Sequence, residues 1–279
     1  MMERLSFLNL LACCGILLTR ASVESFTINN YQADHNSLRF FVIGDWGGLP
    51  QFPYRTFIET AVAGRLAKFA DSLQIHFLLA LGDNFYYDGV KNLHDPRFKE
   101  TYEDVFTDPG LNLPWYLIAG NHDHNGNVSA QIAYTDKVKR WNFPDFYYNL
   151  TFAIPGSDAR VDVVMLDTVQ LCGNVDDFVD VRQPAGPPHV GSAEKQWAWL
   201  EKQLASSRAE YLLVAGHYPV YSIAKHGPTD CLVKRLQPML YKYKVNAYLC
   251  GHDHNIQHLE YSQRNWTVNY FISGSANFV

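Results

Sequence analysis

Residues 77–83 read FLLALGD, a run of five apolar residues followed by glycine and aspartate. A run this short and this continuous is typical of a strand that is buried on both faces of a parallel sheet. Glycine then lets the chain turn sharply, which brings the next side chain over the edge of the sheet. We therefore predict a strand over Phe77–Leu81, with Asp83 at the end where ligands bind in open α/β sheets.

Strand-like and helix-like patterns alternate along the chain. Two segments place apolar residues at helical spacing, Thr56–Leu73 and Ser192–Leu204, and Ser192 offers a weak capping signal for the second. This alternation predicts an α/β layered fold rather than an all-β sandwich. The segments predicted as strands are Leu38–Ile43, Phe77–Leu81, Trp115–Ala119, Val161–Leu166, Tyr211–Ala215 and Ala247–Cys250.

Five of the six predicted strands end with glycine followed by a side chain that can bind a metal. A single Gly-Asp after a strand is an ordinary turn, but five such junctions are hard to reach by chance. Since the carboxyl ends of these strands should meet at one edge, the junctions predict a shared ligand site there. They are Gly44-Asp45, Gly82-Asp83, Gly120-Asn121-His122, Gly216-His217 and Gly251-His252-Asp253-His254.

The donors near these junctions are oxygen and nitrogen atoms without a thiol. Six or seven ligands are too many for one tetrahedral zinc ion but suit two metals that share a carboxylate. The lack of thiols excludes an iron–sulfur cluster. A phenolate from Tyr86 would favour ferric iron over zinc or magnesium, whereas its alternative role is packing at a strand end. The candidate ligands are Asp45, Asp83, Tyr86, Asn121, His217, His252 and His254.

Composition and net charge exclude other classes of protein. Apolar residues make up 47% of the chain and aromatic residues 14%, which rules out disorder for most of it. Lys plus Arg is 23 and Asp plus Glu is 28, and the resulting charge of −5 argues against a partner such as nucleic acid. An anionic substrate remains compatible with this charge, because a metal ion dominates the field around it.

The first 22 residues have the layout of a secretory signal peptide, which leaves residues 23–279 as one domain. Arg4 precedes the apolar run Leu5–Leu18, and Thr19–Ser22 offers small residues for cleavage. The run is short for a membrane span, so an uncut signal anchor is the less favoured alternative. We expect a mature protein outside the cytosol, without stable membrane insertion. Its three sequons, at Asn127, Asn149 and Asn265, are candidate glycan sites.

Three of the five cysteines lie outside the predicted signal peptide. Cys172 and Cys231 both adjoin loop signals, so we predict a disulfide between them, worth roughly 4 kcal/mol in the chain-entropy model. Cys250 ends an apolar run and is predicted to be a buried free thiol. Between the paired cysteines, Val181–Gly191 contains three prolines and two glycines and is predicted to be an exposed loop.

Five sequence blocks, in order, resemble those of the purple acid phosphatases, which belong to the wider binuclear metallophosphatases. The similarity extends over most of residues 38–278 and is strongest with the small mammalian-type form. It implies a four-layer α/β/β/α sandwich of two mixed sheets flanked by helices. It also implies an acid phosphatase, which we expect to be a secreted or lysosomal monomer. Its substrate stays open among small phosphate esters, nucleotides and phosphoproteins. The blocks are Gly44–Gly48, Gly82–Tyr86, Gly120–His124, Gly216–Pro219 and Gly251–Asn255.

The resemblance also implies the metals and their ligands. Fe(III) would be held by Asp45, Tyr86 and His254. A second divalent ion, Fe(II) with Zn or Mn as alternatives, would be held by Asn121, His217 and His252, with Asp83 bridging the two. In such a centre a hydroxide derived from water attacks phosphorus in line with the leaving alkoxide.

Two histidines beyond the ligands are candidate catalytic residues. His122 follows Asn121 and is predicted to hydrogen-bond the phosphoryl group or protonate the leaving group, and both residues are predicted to contact substrate. His226 is a weaker candidate for the same task. His124 and Asp253 are expected to support the ligands. The other histidines are expected to be solvated or packed: His35, His76, His94, His189 and His258.

Three rival interpretations differ in function. A serine or cysteine hydrolase lacks support, because we find no Gly-x-Ser-x-Gly motif. A phosphodiesterase is disfavoured by Tyr86, which such relatives generally lack. The third is a truncated, weakly active or non-catalytic metal-binding form, because chains in the resembled family continue past Val279 with an acidic residue and further strands. On that view a strand at Val268–Ile272 would present an unpaired edge.

Overall fold

The structure is a computed structural model that describes residues 36–175, 183–263 and 265–278. The predicted signal peptide, residues 1–22, lies outside this part of the chain. Within it, the first sheet has four strands in the order β1-β2-β3-β4, and all its pairs are parallel. The strands are β1 (Phe40–Ile43), β2 (Phe77–Leu81), β3 (Trp115–Ile118) and β4 (Trp141–Asn142).

The second sheet has six strands in the order β5-β6-β7-β8-β10-β9. Its central pairs are parallel, whereas the outer pairs β5–β6 and β9–β10 are antiparallel, so this sheet is mixed. Its strands are β5 (Tyr148–Ala153), β6 (Arg160–Met165), β7 (Tyr211–Ala215), β8 (Ala247–Cys250), β9 (Ile256–Gln263) and β10 (Trp266–Ser273).

Three longer helices cover the sheets. The first helix begins at a capping box, in which the Glu59 backbone N–H donates to the Thr56 hydroxyl and the Thr56 N–H donates to the Glu59 carboxylate. The described helices are α1 (Phe57–Leu73), α2 (Asn121–His124), α3 (Val128–Ala133), α4 (Thr168–Cys172), α5 (Val190–Ser206) and α6 (Asp230–Lys242). Shorter helical turns are π-helical at Phe98–Glu103 and 3₁₀ at Pro109–Leu111 and Tyr134–Asp136. None of the described helices is both long and apolar enough to cross a membrane.

The alternating faces of the second sheet divide the interior into two cores. In β7, Leu213 belongs to the core that also contains the first sheet and α1, whereas Val214 belongs to the core beneath α5 and α6. Leu66 of α1 and Trp197 of α5 are the corresponding helix residues. The layers therefore run helix, sheet, sheet, helix, which confirms the predicted four-layer sandwich.

The edge predicted for the last strand is wrong. Strand β10 pairs in parallel with β8, where Ile272 lies opposite Cys250, and antiparallel with β9, where Phe271 lies opposite His258. Its backbone groups are therefore satisfied on both sides by earlier strands. Strand β9 takes the edge position instead, and most of its residues are exposed.

The cysteines outside the predicted signal peptide have the predicted states. Cys172 and Cys231 form the predicted disulfide, with Cα atoms 5.7 Å apart, and Cys250 is buried and unpaired among the described cysteines.

The predicted loop 181–191 is only partly a loop. Its last residues, 190–191, lie in α5, which begins after His189, so Ser192 is inside the helix and does not cap it. Residues 181–182 lie outside the described residues.

Candidate metal centre

The carboxyl ends of β1, β2, β7 and β8 meet at one place between the two sheets. The Asp45 backbone N–H donates to the Gly82 carbonyl at 3.0 Å, and the Gly216 N–H donates to the Leu249 carbonyl at 3.0 Å. A Cβ atom built on Gly44 would lie 3.0 Å from Gly251 Cα, so the two sheets touch here. The seven candidate ligands follow these strand ends or lie on α2.

One group of donors is formed by Asp45, Tyr86 and His254. Tyr86 Oη lies 3.0 Å from Asp45 Oδ1 and 3.0 Å from His254 Nε2, and the last two atoms are 3.4 Å apart. Burial raises the pKa of Tyr86 well above its usual value, and the carboxylates of Asp45 and Asp83 raise it further. A buried phenol beside two carboxylates is a poor acid, and a bound cation would reverse that preference. These three donors therefore fit a highly charged metal ion.

A second group is formed by Asn121, His217 and His252. His217 Nε2 lies 2.9 Å from Asn121 Oδ1, and candidate ligand atoms of Asp83, His217 and His252 lie within 4.8 Å of one another. His217 Nδ1 lies 2.8 Å from the Leu81 carbonyl, to which it donates its proton. The other ring nitrogen is thereby left as the basic donor that a metal needs.

Asp83 contacts both groups. One of its carboxylate oxygens lies 3.4 Å from His217 Nε2, while its charge also acts on Tyr86. Burial alone would raise the pKa of Asp83, but neighbouring His217 and His122 lower it below its usual range. An ionised carboxylate between two donor groups is the arrangement that a bridging ligand requires.

The sharp turns that were predicted at the junction glycines involve the ligand residues themselves. Of the junction glycines, Gly82 has a positive φ, of 90°, but the ligands Asp45, Asp83 and His252 themselves take positive φ values of 58°, 52° and 70°. Such values are uncommon for residues with a side chain and are found at functional sites.

The glycines mainly provide space. A Cβ atom on Gly120 would lie 2.2 Å from Asp83 Oδ1, and one on Gly251 would lie 2.4 Å from Asp45 Oδ2. Both distances are far shorter than a van der Waals contact, so only glycine lets these carboxylates approach the neighbouring backbone.

The two candidate catalytic histidines line a cleft of about 450 Å³ above the ligands. His122 is buried; its backbone N–H donates to Asp83 at 3.0 Å, and its Nδ1 lies 2.9 Å from the Tyr87 carbonyl. The His226 backbone N–H donates to Asp253 at 3.1 Å, and its ring centroid lies 4.2 Å from that of His252.

Comparison with known proteins assigns the chain to a family. The calcineurin-like phosphoesterase family matches residues 38–255. The chain belongs to this family. It is 55% identical over 244 residues to tartrate-resistant acid phosphatase type 5 of Oryctolagus cuniculus, which covers 87% of this chain and 74% of that protein. It is 33% identical over 228 residues to purple acid phosphatase 7 of Arabidopsis thaliana, covering 80% of this chain and 66% of that protein.

A solved structure with the same architecture is GAP50, described as the anchor in the inner membrane complex of Plasmodium. The TM-score is 0.72 at 27% sequence identity, over 86% of this chain and 72% of that one. The relatives confirm the predicted resemblance to purple acid phosphatases. The chain is thus an acid phosphatase with a binuclear metal centre.

The phosphoesterase also has buried supports that we did not predict. Asp123 Oδ2 accepts hydrogen bonds from the backbone N–H groups of Gly120 and Asn84 at 2.9 and 3.0 Å, and its Oδ1 accepts one from Gln131 at 2.8 Å. Burial, together with the charge of Asp83, raises the pKa of Asp123 to about 6. Asp123 thereby ties the loop after β2 to the loop after β3. The position of Asp123 directly after Asn121 and His122 could have identified it from the sequence, whereas no sequence pattern marks Gln131.

The other histidines and the sequon residues lie outside the two donor groups. His124 lies 2.7 Å from the Asp167 carboxylate, which caps α4. His258 lies 2.9 Å from Asn269 on the β9–β10 hairpin, and His35 is outside the described residues. His76 directly precedes β2, His94 lies in a loop and His189 is the cap residue of α5. The sequon residues Asn127, Asn149 and Asn265 are all exposed.

Proposed function

We propose that this acid phosphatase hydrolyses phosphate monoesters with Fe(III) and a second divalent ion, Fe(II) or alternatively Zn or Mn. The observation that carries the proposal is Tyr86, whose phenol oxygen lies 3.0 Å from both Asp45 and His254. A phenolate is a hard anionic donor that favours ferric iron over zinc. Asn121, His217 and His252 would hold the divalent ion, because their amide and imidazole donors are neutral and the anionic donors favour the more highly charged ion.

The charges of the donors support binding of a phosphate. The three anionic donors, Asp45, Asp83 and Tyr86, do not neutralise a trivalent and a divalent ion together, so the centre keeps a positive charge. When bound, the two metals would activate water and neutralise charge on the phosphoryl group.

The chain's own residues would orient the substrate and move a proton. The hydrogen bond from His122 Nδ1 to the Tyr87 carbonyl fixes the ring at the cleft, where His122 would hydrogen-bond a phosphoryl oxygen or protonate the leaving oxygen. His226 lies on the cleft beside His252 and is the second candidate proton donor. Asn121 would contact substrate next to the divalent ion.

The compartment we propose is the secretory pathway, with a secreted or lysosomal product. The predicted signal peptide, the exposed sequons and the Cys172–Cys231 disulfide support it, since disulfides persist in oxidising compartments. Small phosphate esters or phosphoproteins would be the substrates and the chain would act as a monomer, with no nucleic-acid partner.

The test is the visible spectrum of the purified protein. A ferric phenolate gives a charge-transfer band, so the wild type should be purple or pink and Tyr86→Phe should lose the colour while remaining folded. Tyr87→Phe is the matched control, because Tyr87 lies beside the site but is not a proposed ligand. A colourless and fully active wild type would contradict the iron assignment and indicate zinc or manganese.

A further inference from the structure

The cleft above the candidate ligands has two chemically different sides. One is aromatic: the rings of Tyr87 and Phe278 lie nearly parallel with centroids 6.2 Å apart, and Phe278 also stacks on His254 at 5.3 Å. The other is formed by residues 224–226, next to His252. A leaving group that projects from the centre toward solvent would pass along these lining residues.

The loop that carries Lys225 has a fixed backbone. On one side of Lys225, the Ile223 N–H donates to the Gln257 side chain at 3.0 Å. On the other side, the His226 N–H donates to the Asp253 carboxylate at 3.1 Å. Lys225 is exposed at the mouth of the cleft, so its side chain starts from a defined position but can adjust to a ligand.

The charge of Lys225 is unusual for this cleft. Lys225 is the only lysine or arginine among the described lining residues, and no hydrogen bond or ion pair engages its ammonium within the described parts of the chain. Asp253 also lines the cleft, but it is buried and one of its oxygens is engaged by His226. An available ammonium beside a phosphate-binding centre attracts a second negative charge on the same molecule.

We propose that Lys225 is a specificity-determining residue, which binds a second anionic group on the leaving group of the phosphate ester. The inference rests on the proposed function, because the first phosphate must lie on the metal centre for its leaving group to reach the mouth. The substrate class is a monoester whose leaving group carries a carboxylate or another phosphate. An aromatic leaving group would also contact Tyr87 and Phe278.

Matched substrates test this role. We would measure kcat/KM for phenyl phosphate and 4-carboxyphenyl phosphate, and for inorganic diphosphate as a phosphate-bearing third substrate. For Lys225→Gln, the ratio of kcat/KM for an anionic leaving group to that for phenyl phosphate should fall about fivefold, as expected for an exposed ion pair. For Lys225→Glu it should fall about 25-fold, because attraction becomes a similar repulsion. High salt should weaken both effects.

Lys202→Gln is the control, since this lysine is exposed on α5 and does not line the cleft. A reduced ratio for both anionic substrates supports recognition of charge, and a reduced ratio for one identifies the carboxylate or the phosphate as the group. An unchanged ratio overturns the proposal. An equal loss of kcat/KM for all three substrates also overturns it, because it would indicate that Lys225 only balances the negative charge of Asp253. A wild type that hydrolyses none of them would overturn the proposed function and this inference with it.

Discussion

Replacement of Gly120 by alanine adds a methyl group beside the carboxylate of Asp83. The backbone of Gly120 has φ −104°, which alanine adopts without strain, so the effect comes from space alone. The new Cβ would lie 2.2 Å from Asp83 Oδ1 and 2.5 Å from the Asp83 backbone nitrogen. Because such contacts are essentially never shorter than 3.0 Å, the carboxylate and the backbone of residue 120 must separate by at least a further 3.0 − 2.2 = 0.8 Å.

A shift of this size should affect both activity and stability. Misplacement of a reacting group by about 1 Å costs on the order of 100-fold in rate, so we expect a loss of that order in kcat/KM. Overpacking of a buried site costs about 1–3 kcal/mol, so the free energy of unfolding of the metal-free protein should fall by that amount. Phosphate release from phenyl phosphate and thermal unfolding measure the two effects.

Gly64→Ala is the matched control for Gly120→Ala. Gly64 lies in α1, and an added Cβ meets nothing within 4 Å. Alanine there should stabilise the fold by about 0.5–1 kcal/mol without changing the activity. If Gly120→Ala retained its metals and its activity within about twofold of the wild type, the idea that glycine makes room for Asp83 would be refuted.

Two further predictions concern buried groups. Burial raises the pKa of Glu59 from 4.5 to about 9, so the folded protein keeps a proton that the unfolded chain releases above pH 4.5. Stability should therefore fall as pH rises from about 5 to 9, and Glu59→Gln should remove about 1–3 kcal/mol of this loss. If the melting temperature changed equally between pH 5 and pH 8 in the wild type and in Glu59→Gln, the prediction would be wrong. Asn174 donates to the Asn121 carbonyl at 3.3 Å and to Asn125 at 2.8 Å. Asn174→Ala should weaken binding of the second metal about tenfold in competition with a chelating dye, with the Fe(III) ion retained as the internal control, whereas unchanged affinity would show that Asn174 does not position Asn121.

The strands that lead to the site were the most predictable part of the fold. β2, β7 and β8 have the predicted bounds, because buried parallel strands are continuous apolar runs that end in glycine. β9 was missed, because at a sheet edge its residues are mostly exposed and polar. Helix α5 begins at Val190, two residues before the predicted Ser192 cap, and no side-chain hydrogen bond caps it.

The site was predictable only as a set of donors. The junction motifs identified residues that the structure brings together, but they did not predict the left-handed backbone of Asp45, Asp83 and His252. The Gln131 side chain accepts from Asn84, 47 positions away in the sequence, and no local pattern marks such a partner. Long-range polar contacts of this kind become visible only in the folded chain.

Metal analysis of the purified, active protein tests the central claim most directly. The proposed centre requires two metal ions per chain, at least one of them iron, with phosphatase activity proportional to the fraction of chains that carry both. Full activity with a single metal ion per chain, or with two ions and no iron, would contradict the assignment of Asp45, Tyr86 and His254 to Fe(III).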